Sequence, residues 1–211
     1  MTLSDRLLSE NADVFAAMVG HPFVATIKAG RLRKRAFDAY LVHEGAFVET
    51  ALSIFAHLLA RATDMEDKRR IIAILDALAN DQIAYFERVM AARAIQPGAQ
   101  PSPAMVEAFD TGMAEIARTG TFAEIATAMF AAEWMYMTWC GDVDLQIIHD
   151  PDLAEWIRLH TEPGFVNQAH WLRRKVDEAG LRPYTDIDRC SAIFRRVLEL
   201  EYAFHEAPLL V

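Results

Sequence analysis

Residues 37–58 read FDAYLVHEGAFVETALSIFAHL, and the apolar side chains of this stretch recur at intervals of three and four residues. That spacing places them on one face of a helix that packs against a core. They are Phe37, Tyr40, Leu41, Phe47, Val48, Ala51, Phe55 and Leu58. Glu44 falls on the same face, midway along it. Because an unpaired carboxylate is costly to remove from water, Glu44 is a candidate functional residue.

Two more glutamates interrupt apolar faces in the same way. Glu133 interrupts one series and Glu201 interrupts another. The flanking apolar residues are Ala126, Met129, Phe130, Tyr136, Met137 and Cys140 for the first, and Phe194, Val197, Leu198 and Phe204 for the second. Taken singly, each glutamate is more typical of a structural polar residue that pairs with an arginine, caps a helix or faces another subunit. Three in one small helical protein indicate a shared polar pocket, and a pocket indicates chemistry.

Composition and charge narrow the class of protein. The chain has 211 residues, 53% hydrophobic and 24% charged, which predicts one globular domain over residues 1–211. Its net charge of −9 disfavours nucleic acid and anionic membranes as partners, since both attract Lys and Arg. We see no signal peptide and no apolar run long enough to span a bilayer, so we expect a cytoplasmic protein. Cys140 and Cys190 are expected to be reduced core thiols.

Helical periodicity covers the chain, and no run alternates as a half-buried β-strand would. The sequence therefore predicts an all-α fold of about seven helices. Pro163-Gly164 is expected to break the sixth helix, and the proline-rich segment 95–102 to form a loop. The predicted helices are Leu3–Met18, Arg35–Arg61, Asp64–Arg93, Pro103–Arg118, Phe122–Ile148, Pro151–Ala179 and Ile187–His205.

Local signals predict where several helices begin. His21-Pro22-Phe23 is expected to be a turn that closes the first interhelical loop. A threonine followed three residues later by an acidic residue predicts a capped helix start. Such pairs are Thr63 with Glu66, Thr121 with Glu124, and Thr185 with Asp188.

Two kinds of chemistry could use the inward carboxylates. A dinuclear metal site in a helical bundle needs Glu-x-x-His pairs, but aromatic residues stand three positions after each of these glutamates. We therefore predict no metal and no other cofactor. Proton transfer on a small organic substrate fits better, because carboxyls in a dry, aromatic-lined pocket have pKa values that are pushed apart. The three aromatic residues, each about one turn from a glutamate, are Phe47, Tyr136 and Phe204.

An ordered set of short blocks resembles the TenA (thiaminase II) family of thiamin-salvage enzymes. The blocks are His21-Pro22-Phe23-Val24, residues 32–37 running into Tyr40-Leu41-Val42-His43-Glu44, Ala132-Glu133-Trp134-Met135-Tyr136, Glu155-Trp156-Ile157 through His160, and Glu201-Tyr202-Ala203-Phe204. Each block is weak, but together they span nearly the whole chain in order. The resemblance implies a haem-oxygenase-like helical bundle without haem, and commonly a homotetramer.

The resemblance also implies roles for particular residues. Glu44 falls where the family has an aspartate that binds an aminopyrimidine, and Phe47 falls on its stacking aromatic residue. Tyr136 matches a pocket tyrosine, and Glu201 matches an acid/base glutamate. His160 stands where the family has another pocket tyrosine. A further pocket tyrosine, in the fourth helix, has no clear counterpart near residues 106–109.

One departure from the family pattern bears on mechanism. The position of the family's nucleophilic cysteine is occupied by Ala132, and Cys140 lies about 12 Å further along the same predicted helix. The chain is therefore similar to a cysteine-lacking subgroup, associated with aminopyrimidine salvage, in which a glutamate stands near the lost thiol. Glu133 is adjacent to Ala132, and we expect it to assist Glu201 in catalysis.

The resulting prediction is a hydrolase that cleaves a carbon–nitrogen bond of an aminopyrimidine derived from thiamin. Glu201 and Glu133 are its predicted catalytic residues. Its predicted substrate-binding residues are Glu44, Phe47, Tyr136 and His160. Two alternatives stay open at this point: a metal-dependent oxygenase on the same scaffold that uses His160 or His170, and a non-catalytic pyrimidine-binding or regulatory protein.

Overall fold

The stretch that contains Glu44 forms one long helix, Lys34–Arg61, and Glu44 lies within its buried face. The computed structural model describes residues 1–98 and 102–211. In these ranges the α-helices are α1 (Leu3–Glu10), α2 (Ala12–Val19), α3 (Pro22–Lys28), α4 (Lys34–Arg61), α5 (Met65–Ala77), α6 (Ile83–Ala92), α7 (Ala104–Thr119), α8 (Phe122–Gly141), α9 (Pro151–Leu159), α10 (Pro163–Gly180) and α11 (Ile187–Glu206).

The predicted all-α class is confirmed, and the described ranges contain no strand. There are more helices than the seven or so predicted, because several predicted segments are divided. The first segment divides at Asn11, and the sixth divides before Pro163, as expected. The third segment is α5 and α6 joined by a π-helical turn at Leu78–Gln82. Short 3-10 turns follow α8 at Leu145–Ile147 and α11 at Ala207–Leu210.

The expected turn at His21-Pro22-Phe23 is wrong, because α3 begins there. Pro22 occupies the first helical position, where its missing N–H costs nothing. The Nδ1 atom of His21 accepts a hydrogen bond from the Phe23 amide at 3.1 Å, so the imidazole takes the place of the usual capping oxygen. A proline one residue after a possible cap is a signal for helix that the sequence interpretation missed.

The three predicted capping pairs have different outcomes. Thr121 caps α8, and Glu124 completes the capping box. The other two helices begin one residue later than the threonines predict, at α5 and α11. Their caps are Asp64 and Asp186, whose carboxylates accept backbone hydrogen bonds in the first turn. A carboxylate accepts these bonds more strongly than a neutral hydroxyl does, and it also favours the positive end of the helix dipole.

Helix α8 is the element around which the site is built. It is buried over most of its length, and it packs against α10 and α11. Helix α4 packs against α5 on one side and against α7 on another. The buried faces of α4, α8 and α11 converge, and α5, the π turn and the start of α10 cover the space between them. This arrangement decides which polar side chains meet.

The helices were compared with what a membrane-spanning segment needs. None of the helices in residues 1–98 and 102–211 has the length and apolar character that crossing a membrane requires.

The predicted loop at residues 95–102 follows α6, and Gly98 in it has a positive φ of 78°. Residues 99–101 of that loop lie outside the described residues.

Candidate active site

A cavity of about 400 Å³ lies between these helices. That volume falls within the usual range of small-molecule sites. All six residues that the sequence predicts for the site contribute to its wall, and so does Ala132 beside them. The six are Glu44, Phe47, Glu133, Tyr136, His160 and Glu201. The three glutamates, which come from three different helices, therefore share one pocket.

Glu44 is held by Trp156 of α9 and lies near His160 at the end of that helix. Its Oε2 atom accepts a hydrogen bond of 2.6 Å from the indole Nε1 of Trp156, which is fully buried. Its Oε1 atom lies 3.8 Å from the Nε2 atom of His160. Burial raises the pKa of Glu44 to about 8, although the Trp156 hydrogen bond opposes this shift. The carboxyl is therefore mostly protonated at neutral pH.

His160 presents an unprotonated nitrogen to Glu44. Its Nδ1 atom lies 2.8 Å from the backbone carbonyl oxygen of Trp156, so Nδ1 carries the proton and donates it there. Burial lowers the pKa of His160 to about 4, so the ring is neutral at pH 7. In that tautomer the Nε2 lone pair is a hydrogen-bond acceptor at the cavity wall.

Glu201 lies close enough to Glu44 for their charges to interact. It is 1% exposed, and its Oε2 atom has no hydrogen-bond partner. Burial raises the pKa of Glu201 well above its ordinary value, and the charge of Glu44 raises it further, whereas the Tyr136 hydroxyl lowers it. Tyr40 donates a hydrogen bond of 3.0 Å to the hydroxyl of Tyr136. We call Glu44, Glu201, Tyr136, Trp156 and His160 the paired-carboxyl centre.

Glu133 belongs to a different group of side chains in the same cavity. Its Oε1 atom accepts a hydrogen bond of 2.7 Å from the Nε2 atom of Gln168 in α10, and its Oε2 atom is buried without a partner. Burial raises the pKa of Glu133 to about 8; Gln168 and the positive charge of Arg70 lower it. Neither Glu44 nor Glu201 contributes to this shift. We call Glu133, Gln168 and Arg70 the α8–α10 centre.

Aromatic rings form the wall next to the paired-carboxyl centre. Phe47 packs against Phe109 with ring centroids 4.6 Å apart, and Phe109 packs against Phe204 at 4.9 Å. Tyr136 packs against His160 at 5.2 Å. Phe109 therefore occupies the cavity wall from α7, the helix in which the sequence offers no tyrosine for the site.

Three residues of the site escaped the sequence interpretation. Trp156 stands in a recognised block, but only the structure shows that its indole meets Glu44. Arg70 lies on α5 in a run of charged residues that is typical of an exposed face. Gln168 is one polar residue in a mixed stretch of α10. No local pattern distinguishes Arg70 or Gln168, because both are placed by the packing of α5 and α10 over the cavity.

Two further groups of side chains bear on the possible chemistry. Cys140 and Cys190 are buried and do not line the cavity, and burial raises the pKa of each thiol. Thiols of this kind are poor nucleophiles. Within the described residues, no three His, Cys, Asp or Glu side chains are placed to hold a metal ion.

Comparison with known proteins now gives the class. Residues 10–209 match the model of the TENA/THI-4/PQQC family, so the chain belongs to that family. The predicted haem-oxygenase-like fold is confirmed by a domain from Shewanella denitrificans described as having a heme oxygenase-like fold. It superimposes with a TM-score of 0.77 at 13% identity, over 98% of this chain and 91% of that one.

More similar proteins agree with this class. A TenA homologue from P. horikoshii OT3 has a TM-score of 0.89 and 17% identity, covering 99% of this chain and 98% of that one. Among curated proteins, the aminopyrimidine aminohydrolase of Helicobacter pylori is 22% identical over 210 residues, which is 97% of each chain. At the level of the family, these likenesses support a thiamin-salvage function.

Proposed function

We propose that this protein is an aminopyrimidine hydrolase that cleaves a carbon–nitrogen bond by carboxyl acid/base chemistry. The observation that carries the proposal is the pair of interacting buried carboxyls, Glu44 and Glu201, in an aromatic-walled cavity. The likeness to an aminopyrimidine aminohydrolase supports the substrate class. Buried carboxyls with raised pKa values are typical of acid/base sites.

Glu44 is assigned to the edge of the aminopyrimidine ring. A neutral carboxyl has one O–H donor and one carbonyl acceptor, and an aminopyrimidine edge offers a ring-nitrogen acceptor beside an amino donor. The raised pKa of Glu44 keeps it in this complementary form at neutral pH. Trp156 fixes the carboxyl in place, while Phe47 and Tyr136 are assigned to the faces of the ring.

Glu201 is assigned to proton transfer. Its raised pKa favours the protonated form, which can donate a proton to the nitrogen that leaves the aminomethyl carbon. The resulting carboxylate then accepts a proton from the water that supplies the new hydroxyl. In the overall reaction, an aminomethyl group and water are converted into a hydroxymethyl group and ammonia. Glu201 is protonated again at the end of the cycle.

The chemistry proposed here does not use a cysteine. Ala132 is the residue of the cavity wall at the position where the family resemblance implies the nucleophilic thiol, and alanine offers no nucleophile. This supports assignment to the cysteine-lacking subgroup. The oxygenase alternative is not carried forward, because no set of metal-binding side chains in the described ranges supports it.

The test is turnover of aminomethyl and formylaminomethyl pyrimidines by the purified protein, followed by release of ammonia or formate. Glu201→Gln should reduce kcat by about 10²- to 10⁴-fold, which is the usual contribution of one acid/base group. The matched control is Glu199→Gln, on the exposed side of the same helix. Turnover of neither compound by the wild type, with affinity retained, would instead favour the non-catalytic binder.

The remaining expectations concern the setting of the enzyme. We propose one catalytic domain over residues 1–211, assembled as a homotetramer in the cytoplasm, without a nucleic-acid partner. The family resemblance supports the tetramer, and the net charge of −9 supports the absence of a nucleic-acid partner. Sedimentation of the purified protein gives the oligomeric state directly.

A further inference from the structure

Arg70 is a cation without a partner in the wall of an otherwise acidic cavity. It is the one Arg or Lys side chain among the described residues that line the cavity. No hydrogen bond or ion pair joins its guanidinium to another described residue, and its Nε atom is enclosed without an acceptor. Other arginines of this chain with an enclosed side chain are paired, as Arg93 is with Asp38, Asp150 and Asp152.

The nearby carboxyl is also incompletely bonded. Gln168 occupies Oε1 of Glu133, which leaves Oε2 buried and without a partner. Glu133 as a whole is only 6% exposed. A buried polar group without a partner is destabilising, and proteins retain such groups where a ligand completes the bonding. An unpaired donor and an unpaired carboxyl oxygen in one cavity wall therefore indicate a ligand group that bonds to both.

The charges around Arg70 decide which group that is. Glu133, Asp81 and Glu162 line the same cavity, and the last two are exposed. An anionic substituent would meet the side chains of Asp81 and Glu162 and the buried carboxyl of Glu133, with only one guanidinium to attract it. A neutral carbonyl oxygen avoids that repulsion and still accepts from Arg70. An N–H next to the carbonyl supplies a donor for Glu133.

We propose that Arg70, with Glu133 and Gln168, forms a specificity subsite for a carbonyl attached to the side-chain nitrogen of the substrate. The proposal rests on the proposed function, because it takes the aminopyrimidine ring to lie at the paired-carboxyl centre. Arg70 donates to the carbonyl oxygen, and Glu133 accepts from the adjoining N–H. The α8–α10 centre thereby distinguishes an acylated amine from the free amine.

The helix that carries Arg70 is shaped for this role. Arg70, Ile74 and Ala77 follow one another on a single face of α5, and the π turn continues that face with Leu78, Asp81 and Gln82. A π turn inserts an additional residue into a helix, and such turns are frequent at functional sites. Here it brings the adjacent residues Asp81 and Gln82 to the cavity together.

The experiment measures binding, so that it does not depend on turnover. In a Glu201→Gln background, calorimetry gives the affinities for aminomethyl pyrimidine and for its N-formyl derivative. Arg70→Met should weaken binding of the formyl derivative by about 10- to 100-fold, as expected for a charged hydrogen bond, and change binding of the amine by less than about 3-fold. Arg69→Met, one residue earlier and exposed, is the matched control and should change neither affinity.

A second variant distinguishes the hydrogen bonds made by the Arg70 guanidinium from the effect of its positive charge. Arg70→Lys keeps the positive charge near Glu133 but loses the planar fork, so it should recover only part of the affinity for the formyl derivative. Equal weakening of both ligands, or no change in either, would overturn the subsite. If the wild type turns over the substrates but Arg70→Met affects the binding of the two ligands equally, the subsite is rejected and the proposed hydrolase is retained. If Arg70→Met selectively weakens binding of the formyl derivative but the wild type turns over neither compound, the proposed hydrolase is rejected and the subsite is retained.

Discussion

The paired-carboxyl centre and the α8–α10 centre each contain a buried glutamate, but the groups around the two glutamates differ. Both bury a glutamate whose pKa is raised to about 8 within one cavity. Glu44 has a buried indole donor, and its charge affects the pKa of a second carboxyl, that of Glu201. Glu133 has an amide donor and a guanidinium, and no other glutamate affects its pKa. From this difference in surroundings we infer that the two glutamates have different chemical roles, although they share a cavity.

The largest expected effect is on turnover. If proton transfer belongs to the paired-carboxyl centre, Glu201→Gln lowers kcat by about 10²-fold or more, whereas Glu133→Gln lowers it by less than 10-fold and mainly raises KM. Steady-state release of ammonia or formate measures both. An equal loss of kcat in the two variants would restore Glu133 to the direct catalytic role that the sequence predicts and remove the distinction.

The next effect concerns the protonation state of Glu44. Glu44→Gln keeps one donor and one acceptor at the ring edge, so we expect the Kd for an aminopyrimidine to change by less than about 10-fold. Glu44→Ala leaves the Trp156 indole without its acceptor, which should cost about 1–3 kcal/mol of stability and abolish tight binding. Calorimetry and urea unfolding measure the two quantities. A Gln variant as impaired as the Ala variant would indicate that the bound form of Glu44 is ionised.

The pH dependence of stability tests both centres together. Glu44 and Glu133 have a folded pKa of about 8, above the ordinary value of 4.5, so the folded state holds more protons than the unfolded state between these limits. Stability therefore falls as pH rises towards 8. His160, His21 and His205 have lowered pKa values and act in the opposite direction, but only below about 6.5.

The window from pH 6.5 to 8 thus isolates the carboxyls. Each contributes a slope of up to about 1.4 kcal/mol per pH unit in the free energy of unfolding. Urea unfolding at several pH values should give a shallower fall for Glu44→Gln and for Glu133→Gln than for the wild type. Stability that rises across this window in the wild type would contradict the raised pKa values.

The smallest effects come from the residues that hold each centre. Tyr40→Phe removes the hydroxyl that donates to Tyr136, and Gln168→Met removes the donor to Glu133. Each should cost about 1 kcal/mol of stability. In binding assays, Tyr40→Phe should weaken free amine and acylated ligands alike, and Gln168→Met should weaken the acylated ligand more. Reversed selectivity would mean that the two centres have been assigned to the wrong parts of the substrate.

The sequence anticipated much of the site because burial leaves a periodic pattern. Glu44, Glu133 and Glu201 are recognisable as polar residues on apolar faces, and a helical face is a local property. Periodicity does not reveal the helix start at the first interhelical loop, where His21 caps a helix with its imidazole. It does not reveal the role of Trp156 either, since an apolar residue on an apolar face shows nothing of the hydrogen bond that its indole makes.

The helical class, the inward positions of three glutamates and the family followed from the amino-acid sequence alone, because periodicity and ordered blocks depend on residue spacing. The tertiary structure decided which inward groups interact. Glu44 and Glu201 line one cavity because the buried faces of α4 and α11 both border it, whereas α5 and α10 bring Arg70 and Gln168 to Glu133. Those approaches join residues far apart in the chain, where spacing carries no information and only the packing of helices sets the distances.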